Sequence, residues 1–127
     1  MSDTKFEKEC QDTVDRIAKT LMNIYEGTAS DEYYEGMTDE GYDDTNKGYY
    51  GIRKYFDDPL DIDYICNSRK EYTSARVWIT IGGPGIYVDT ESAEVKLTWG
   101  TTKASAPISY NVRDMIDEIF KEYFDIM

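Results

Sequence analysis

The sequence predicts an α+β domain: a small antiparallel sheet of three to five strands, covered by an N-terminal and a C-terminal amphipathic helix, with an acidic, tyrosine-rich insertion ahead of the sheet. Three observations predict it. Apolar residues recur at helical spacing near both ends, the apolar period drops to two between them, and acids and tyrosines crowd into one stretch of the middle. At 127 residues the chain suits one domain with one core. Its parts are an N-terminal helix (1–27), an acidic Tyr/Gly-rich region (28–60), antiparallel strands (61–108) and a C-terminal helix (109–127).

In the first part Phe6, Cys10, Val14, Ile17, Leu21 and Ile24 step by three and four, which lines one helix face, and Gly27 ends it. In the last part Val112, Met115, Ile116, Ile119, Phe120 and Tyr123 repeat that spacing, with Asn111 as the expected N-cap. Between them Ala75, Val77, Ile79 and Ile81 alternate with Arg76, Trp78 and Thr80. Ile86 and Val88 flank Tyr87, Val95, Leu97 and Trp99 alternate with polar neighbours, and Ile62, Tyr64 and Cys66 open the series. Gly82-Gly83-Pro84-Gly85 and Asp89 to Ser92 make short connections, so the strands form an antiparallel meander. One sheet face takes the helices, and the other presents Arg76, Trp78, Thr80, Tyr87, Lys96 and Thr98. Trp99 falls in phase with the inward residues. Trp78 has two readings, a second small core under the acidic segment or an outward anchor. Cys10 and Cys66 sit in apolar patterns as buried free thiols.

The chain carries 26 acids against 14 bases, net −12, and no histidine. Residues 26–64 alone hold twelve acids against Lys47, Arg53 and Lys54, and seven of the twelve tyrosines. Disordered acidic tracts are poor in aromatics, so this stretch reads as a folded acidic face. Gly36, Gly41, Gly48 and Gly51 serve it as turn formers, and Gly51 to Phe56 forms a short helix that docks Ile52, Tyr55 and Phe56. Nothing resembles a signal peptide or a membrane span, so a cytoplasmic location is the expectation.

Several chemistries drop out. Without histidine there is no Ser/His or Cys/His pair and no ordinary zinc site. Gly82-Gly83-Pro84-Gly85 leads into a strand where a phosphate loop needs a helix. An EF-hand begun at Asp43 would place Lys54 where its bidentate glutamate belongs. No catalytic residue, metal or cofactor is expected, and the chain is read as no enzyme.

The strings Tyr64-Ile65-Cys66-Asn67-Ser68-Arg69, Val77 through Thr90 (VWITIGGPGIYVDT) and Leu97-Thr98-Trp99-Gly100 resemble a group of small, largely uncharacterised proteins of phages and mobile elements. The resemblance covers residues 60–125 and contains no catalytic motif. It implies a setting in which genes encode inhibitors of host defence, anti-CRISPR and anti-restriction proteins among them, some acting as DNA mimics.

The acidic face fits that setting. Duplex DNA presents a negative charge about every 3.4 Å along each strand. Carboxylates two apart on a strand stand roughly 6.6 Å apart, and those four apart on a helix about 5–6 Å. The expected contact set is therefore Asp31, Glu32, Glu35, Asp39, Glu40, Asp43, Asp44, Asp57, Asp58, Asp61 and Asp63, with Tyr33, Tyr34, Tyr42, Tyr49 and Tyr50 supplying contact area. Its partner would be a basic nucleic-acid-binding protein, a CRISPR RNA-guided nuclease or a restriction enzyme, with no nucleic acid or membrane bound directly. The alternative is an acidic adaptor that binds a basic partner without mimicry.

Overall fold

The computed structural model describes residues 4–35, 37, 41–43 and 45–126. In chain order the elements are α1 (Thr4–Glu26), α2 (Asp31–Tyr34), α3 (Lys47–Tyr55), β1 (Asp61–Cys66), β2 (Tyr72–Thr80), β3 (Gly85–Asp89), β4 (Glu94–Trp99), β5 (Thr102–Pro107) and α4 (Tyr110–Asp125). The strands form one antiparallel meander in the order β1-β2-β3-β4-β5.

The helices lie on one face of this sheet, α1 over β4 and β5 and α4 over β2, with α3 packed against both. Cys10, Val14, Leu21 and Ile24 of α1 meet Val112, Ile116, Ile119 and Phe120 of α4 above the inward row Ala75, Val77, Val88, Val95, Leu97 and Ala106. Burying such side chains contributes roughly 1.5–3 kcal/mol each. The acidic region adds Ile52 and Phe56 to the same core, and Phe56 meets Phe120 edge-on at 5.7 Å. No described helix is long and apolar enough to cross a membrane.

Helix α1 ends as its glycine requires. Gly27 has φ +76°, its N–H bonds to Ile24 O (3.2 Å), and Thr28 N–H reaches back to Asn23 O (2.9 Å), which is the Schellman arrangement. The start of α4 differs from expectation: Ser109, not Asn111, is the N-cap, and its Oγ accepts the N–H of Val112 at 3.2 Å. Asn111 sits one residue inside the helix.

Three positions expected on the inward face are exposed instead. The β2/β3 register shifts between Trp78 and Thr80, so the inward phase breaks there and Ile81 is 59 % exposed. A second irregularity, between Ile65 and Cys66, leaves the Cys66 thiol exposed while Cys10 is buried. Trp99 is 45 % exposed rather than core. It is the last residue of β4, where the first turn of α1 reaches it through Phe6, whose ring meets the indole edge-on at 5.0 Å, and the rest of the ring stays open.

Candidate functional site

The acidic segment is held down by its tyrosines. Tyr33 donates its hydroxyl to Gly51 O (2.7 Å) and Tyr34 to Ile24 O (3.2 Å), which ties α2 to α3 and to the end of α1. Lys54 Nζ donates to Tyr33 O (2.5 Å) and lies 4.4 Å from the Tyr33 ring centre, while Lys47 stands over Tyr34 at 5.2 Å. Tyr42 meets Tyr50 edge-on, Tyr50 meets Tyr49 likewise, and Tyr49 donates to Glu122 Oε2 of α4 at 3.1 Å. Two of the three bases in this stretch thus hold aromatic rings, and the third, Arg53, approaches Tyr49 at 6.0 Å. Burial, with Tyr34 and Tyr55 adjoining, pushes the Tyr33 phenol up to about 12. Burial and the hydrogen bond to Glu122 raise Tyr49 as well.

The glycines of α3 are not turn formers. Gly48 and Gly51 lie inside the helix, and a Cβ at Gly48 would stand 2.5 Å from Tyr25 O, one at Gly51 2.6 Å from Ile24 Cγ2. They let α3 press against α1, and a G-x-x-G spacing in the sequence was the available signal. The helix also begins earlier than expected, at Lys47. Ahead of it Asp43 accepts from the Thr45 hydroxyl (2.5 Å) and the Thr45 N–H (2.7 Å), and Asn46 closes the loop onto Gly41 O (2.8 Å). Those bonds hold the Asp43 carboxyl below the usual carboxylate range, the hydroxyl of Thr45 contributing most.

The carboxylates face outward. Asp31, Glu32, Glu35, Asp43, Asp57, Asp58, Asp61 and Asp63 are all exposed, while Asp39, Glu40 and Asp44 lie outside the described residues. Tyr34 is buried and Tyr33, Tyr42, Tyr49 and Tyr50 are partly buried, so Tyr34 supports the surface rather than contacting a partner. The helical part of this stretch, α2, is one turn long, and Glu35 is already extended (φ −63°, ψ 144°). Asp31 and Glu35 are therefore not a pair on a continuous helix.

The structure also divides the expected set. Asp31, Glu32, Glu35 and Asp43 gather around α2 and the approach to α3, and Asp57 and Asp58 follow α3. Asp61 and Asp63 instead sit on the uncovered sheet face, paired across the strands with Trp78 and Arg76. There Asp63 Oδ2 accepts the indole N–H of Trp78 at 3.0 Å, and the Trp78 and Tyr87 rings lie 4.6 Å apart. That places Trp78 outward and resolves its two readings. Lys103 and Ser105 of β5 belong to the same face through their pairing with Thr98 and Lys96; sequence reading missed them because β5, Thr-Lys-Ala-Ser-Ala-Pro, is nearly free of large apolar residues.

Among the described residues no three acidic or cysteine side chains come close enough to hold a metal ion. Comparison with family models, with curated proteins and with solved structures finds no match.

Proposed function

We propose that this chain is a mobile-element inhibitor of a host defence nuclease, an anti-CRISPR protein that lays its acidic flank in the nucleic-acid cleft of an RNA-guided nuclease. The observation that carries the reading is the division of labour between acids and tyrosines in residues 31–58. The described carboxylates are exposed, and the rings between them anchor the backbone to α1, α3 and α4. A solvated linker would leave both classes in water.

An anchored row of charge costs little further ordering entropy on binding, which raises affinity over a flexible acidic tail of equal charge. The net −9 of residues 26–64 speeds encounter with a basic channel. The arginines that read a protospacer-adjacent motif and the channel that holds the heteroduplex are such surfaces. The phage-like strings of residues 64–100 supply the biological setting.

Competition tests the reading. A purified RNA-guided nuclease carrying labelled target DNA is titrated with the protein, and a restriction enzyme with its own labelled site serves as a second arm. Release of DNA from either, in proportion to protein bound, supports occupation of the cleft. A nuclease that binds the protein while retaining its DNA overturns mimicry and identifies an adaptor, and failure to bind either enzyme overturns the assignment.

A further inference from the structure

The uncovered sheet face carries two concavities, of about 460 and 490 Å³, that adjoin at Tyr87 and Thr98 and make a groove from β2 to the β5 edge, where Gln11 of α1 joins the lining. Its lining inverts the character of the chain. Arg76, Lys96 and Lys103 face Glu94 as the one carboxylate among the lining residues, a local excess of cations in a chain of net −12.

The carboxylates next to the groove are engaged. Asp89 is buried beneath it, 3.8 Å from Arg76 Nε and 3.5 Å from Lys96 Nζ, and its other oxygen accepts the N–H groups of Glu91 and Ser92. This holds the two cations at the surface. Asp63 accepts the Trp78 indole N–H, and Asp61, across from Trp78, accepts the N–H of Ile62 at 2.9 Å. Lys103 has no ion-pair partner among the described residues.

The two rings of this face lie against each other and are partly exposed. Trp78 and Tyr87 stand 4.6 Å apart with 40° between their planes, and Arg76 lies 6.0 Å from the Tyr87 ring centre. Gly82, Gly85 and Gly100 line the same end. A Cβ at Gly85 would come within 3.3 Å of Trp78 Cζ3, so glycine there leaves the indole its place. Gly82 to Tyr87 and Trp99-Gly100 meet at this end of the groove.

From this arrangement we infer that the open sheet face binds single-stranded nucleic acid, bases on Trp78 and Tyr87 and phosphates along Arg76, Lys96 and Lys103. Aromatic rings in a cationic groove are the general means of holding a single strand, because every base has a face to stack and its phosphates are evenly charged. A duplex keeps its base faces inside the stack and leaves the rings unused. An acidic peptide would satisfy the cations and leave the rings unused too. The inference goes beyond the inhibitor reading and amends the expectation that the chain touches no nucleic acid itself.

The test is fluorescence anisotropy of the full chain with labelled oligothymidylate and oligouridylate of twelve nucleotides, beside a duplex and a poly-glutamate peptide. Saturable binding to the single strands is expected, weakened on the order of tenfold by Trp78→Ala and restored in large part by Trp78→Phe. Three cations set a slope of log affinity against log salt near −2, and Lys103→Ala, a change at a side chain with no ion-pair partner among the described residues, should reduce it by about 0.7. Absence of saturable binding, equal binding of the duplex or the peptide, or binding untouched by both Trp78→Ala and Lys103→Ala overturns the inference. Neutralising the acids of residues 31–44 should leave this binding intact, so that the nuclease reading and this one fail separately.

Discussion

The acidic flank and the open sheet face use the same two classes of side chain in opposite ways. Among the described residues of 31–58 the rings turn in, with Tyr33 and Tyr34 bonded to backbone carbonyls, and the carboxylates turn out. On the sheet Trp78 and Tyr87 turn out, and the carboxylate Asp89 is buried between Arg76 and Lys96. Composition alone therefore says little about what a surface offers. What matters is which class the backbone has spent on anchoring, and the remaining class is left to meet a partner.

The two regions share a core, and the largest expected effect comes from cutting what joins them. Phe120 is fully buried between Phe56 of the acidic region and the sheet. Phe120→Ala should cost about 3–5 kcal/mol, read as a fall in the denaturant midpoint by circular dichroism. A loss below 1 kcal/mol would show that the regions fold independently.

Separating the flank from the sheet calls for a gentler change. Gly48→Ala drives a Cβ against the backbone oxygen of Tyr25 and should cost about 1–3 kcal/mol, with hydrogen exchange accelerating around α2 and α3 before the strands. Uniform acceleration would mean that α3 is not a separable unit. Tyr34→Phe removes only the bond to Ile24 O and should cost about 1 kcal/mol. An unchanged midpoint would assign Tyr34 to packing alone.

The smallest effect is a pH dependence confined to the alkaline side. The folded-state phenol of Tyr33 is raised to about 12 by burial, while in the unfolded chain it titrates near 10. Between those values the folded state holds a proton that the unfolded state has lost, so stability is full below pH 10 and declines as pH rises toward 12. Tyr72, raised by burial and by its hydrogen bond to Asp117, acts in the same direction. Tyr33→Phe should flatten the decline above pH 10 in thermal melts, and a slope unchanged by it would assign the effect to Tyr72.

The sequence made the helices and the strand order legible because each rests on a local repeat: the four-three stripe from Phe6 to Ile24, the alternation around Val77, Val88 and Val95, and the Gly82 to Gly85 turn. What it hid depends on contacts distant in the chain. The bulge at Ile79 exists only in the pairing of β2 with β3, and it turns Ile81 outward and leaves Ile79 half-buried beside Tyr55 and Phe56. Trp99 keeps its inward phase, yet it lies at the end of β4, where Phe6 in the first turn of α1 covers it only in part. Strand β5 was faint because α1 lies directly on it and small residues, Ala104 and Ala106, suit that approach. Of the expected contact set the exposed acids were legible from charge. The anchoring of the tyrosines was not, since it requires knowing that Gly48 and Gly51 bring α3 against α1.

The central proposal is that the carboxylates of the flank stand in for phosphates. Asp31, Glu32, Glu35, Asp39, Glu40, Asp43 and Asp44 are changed together to Asn or Gln, which keeps side-chain shape and removes seven charges. Inhibition of a susceptible RNA-guided nuclease is then measured against wild type across salt concentrations. Unchanged melting, a loss of inhibition on the order of 100-fold and a flattened salt dependence are the expected result. A neutralised protein that folds and inhibits as well as wild type would contradict the claim.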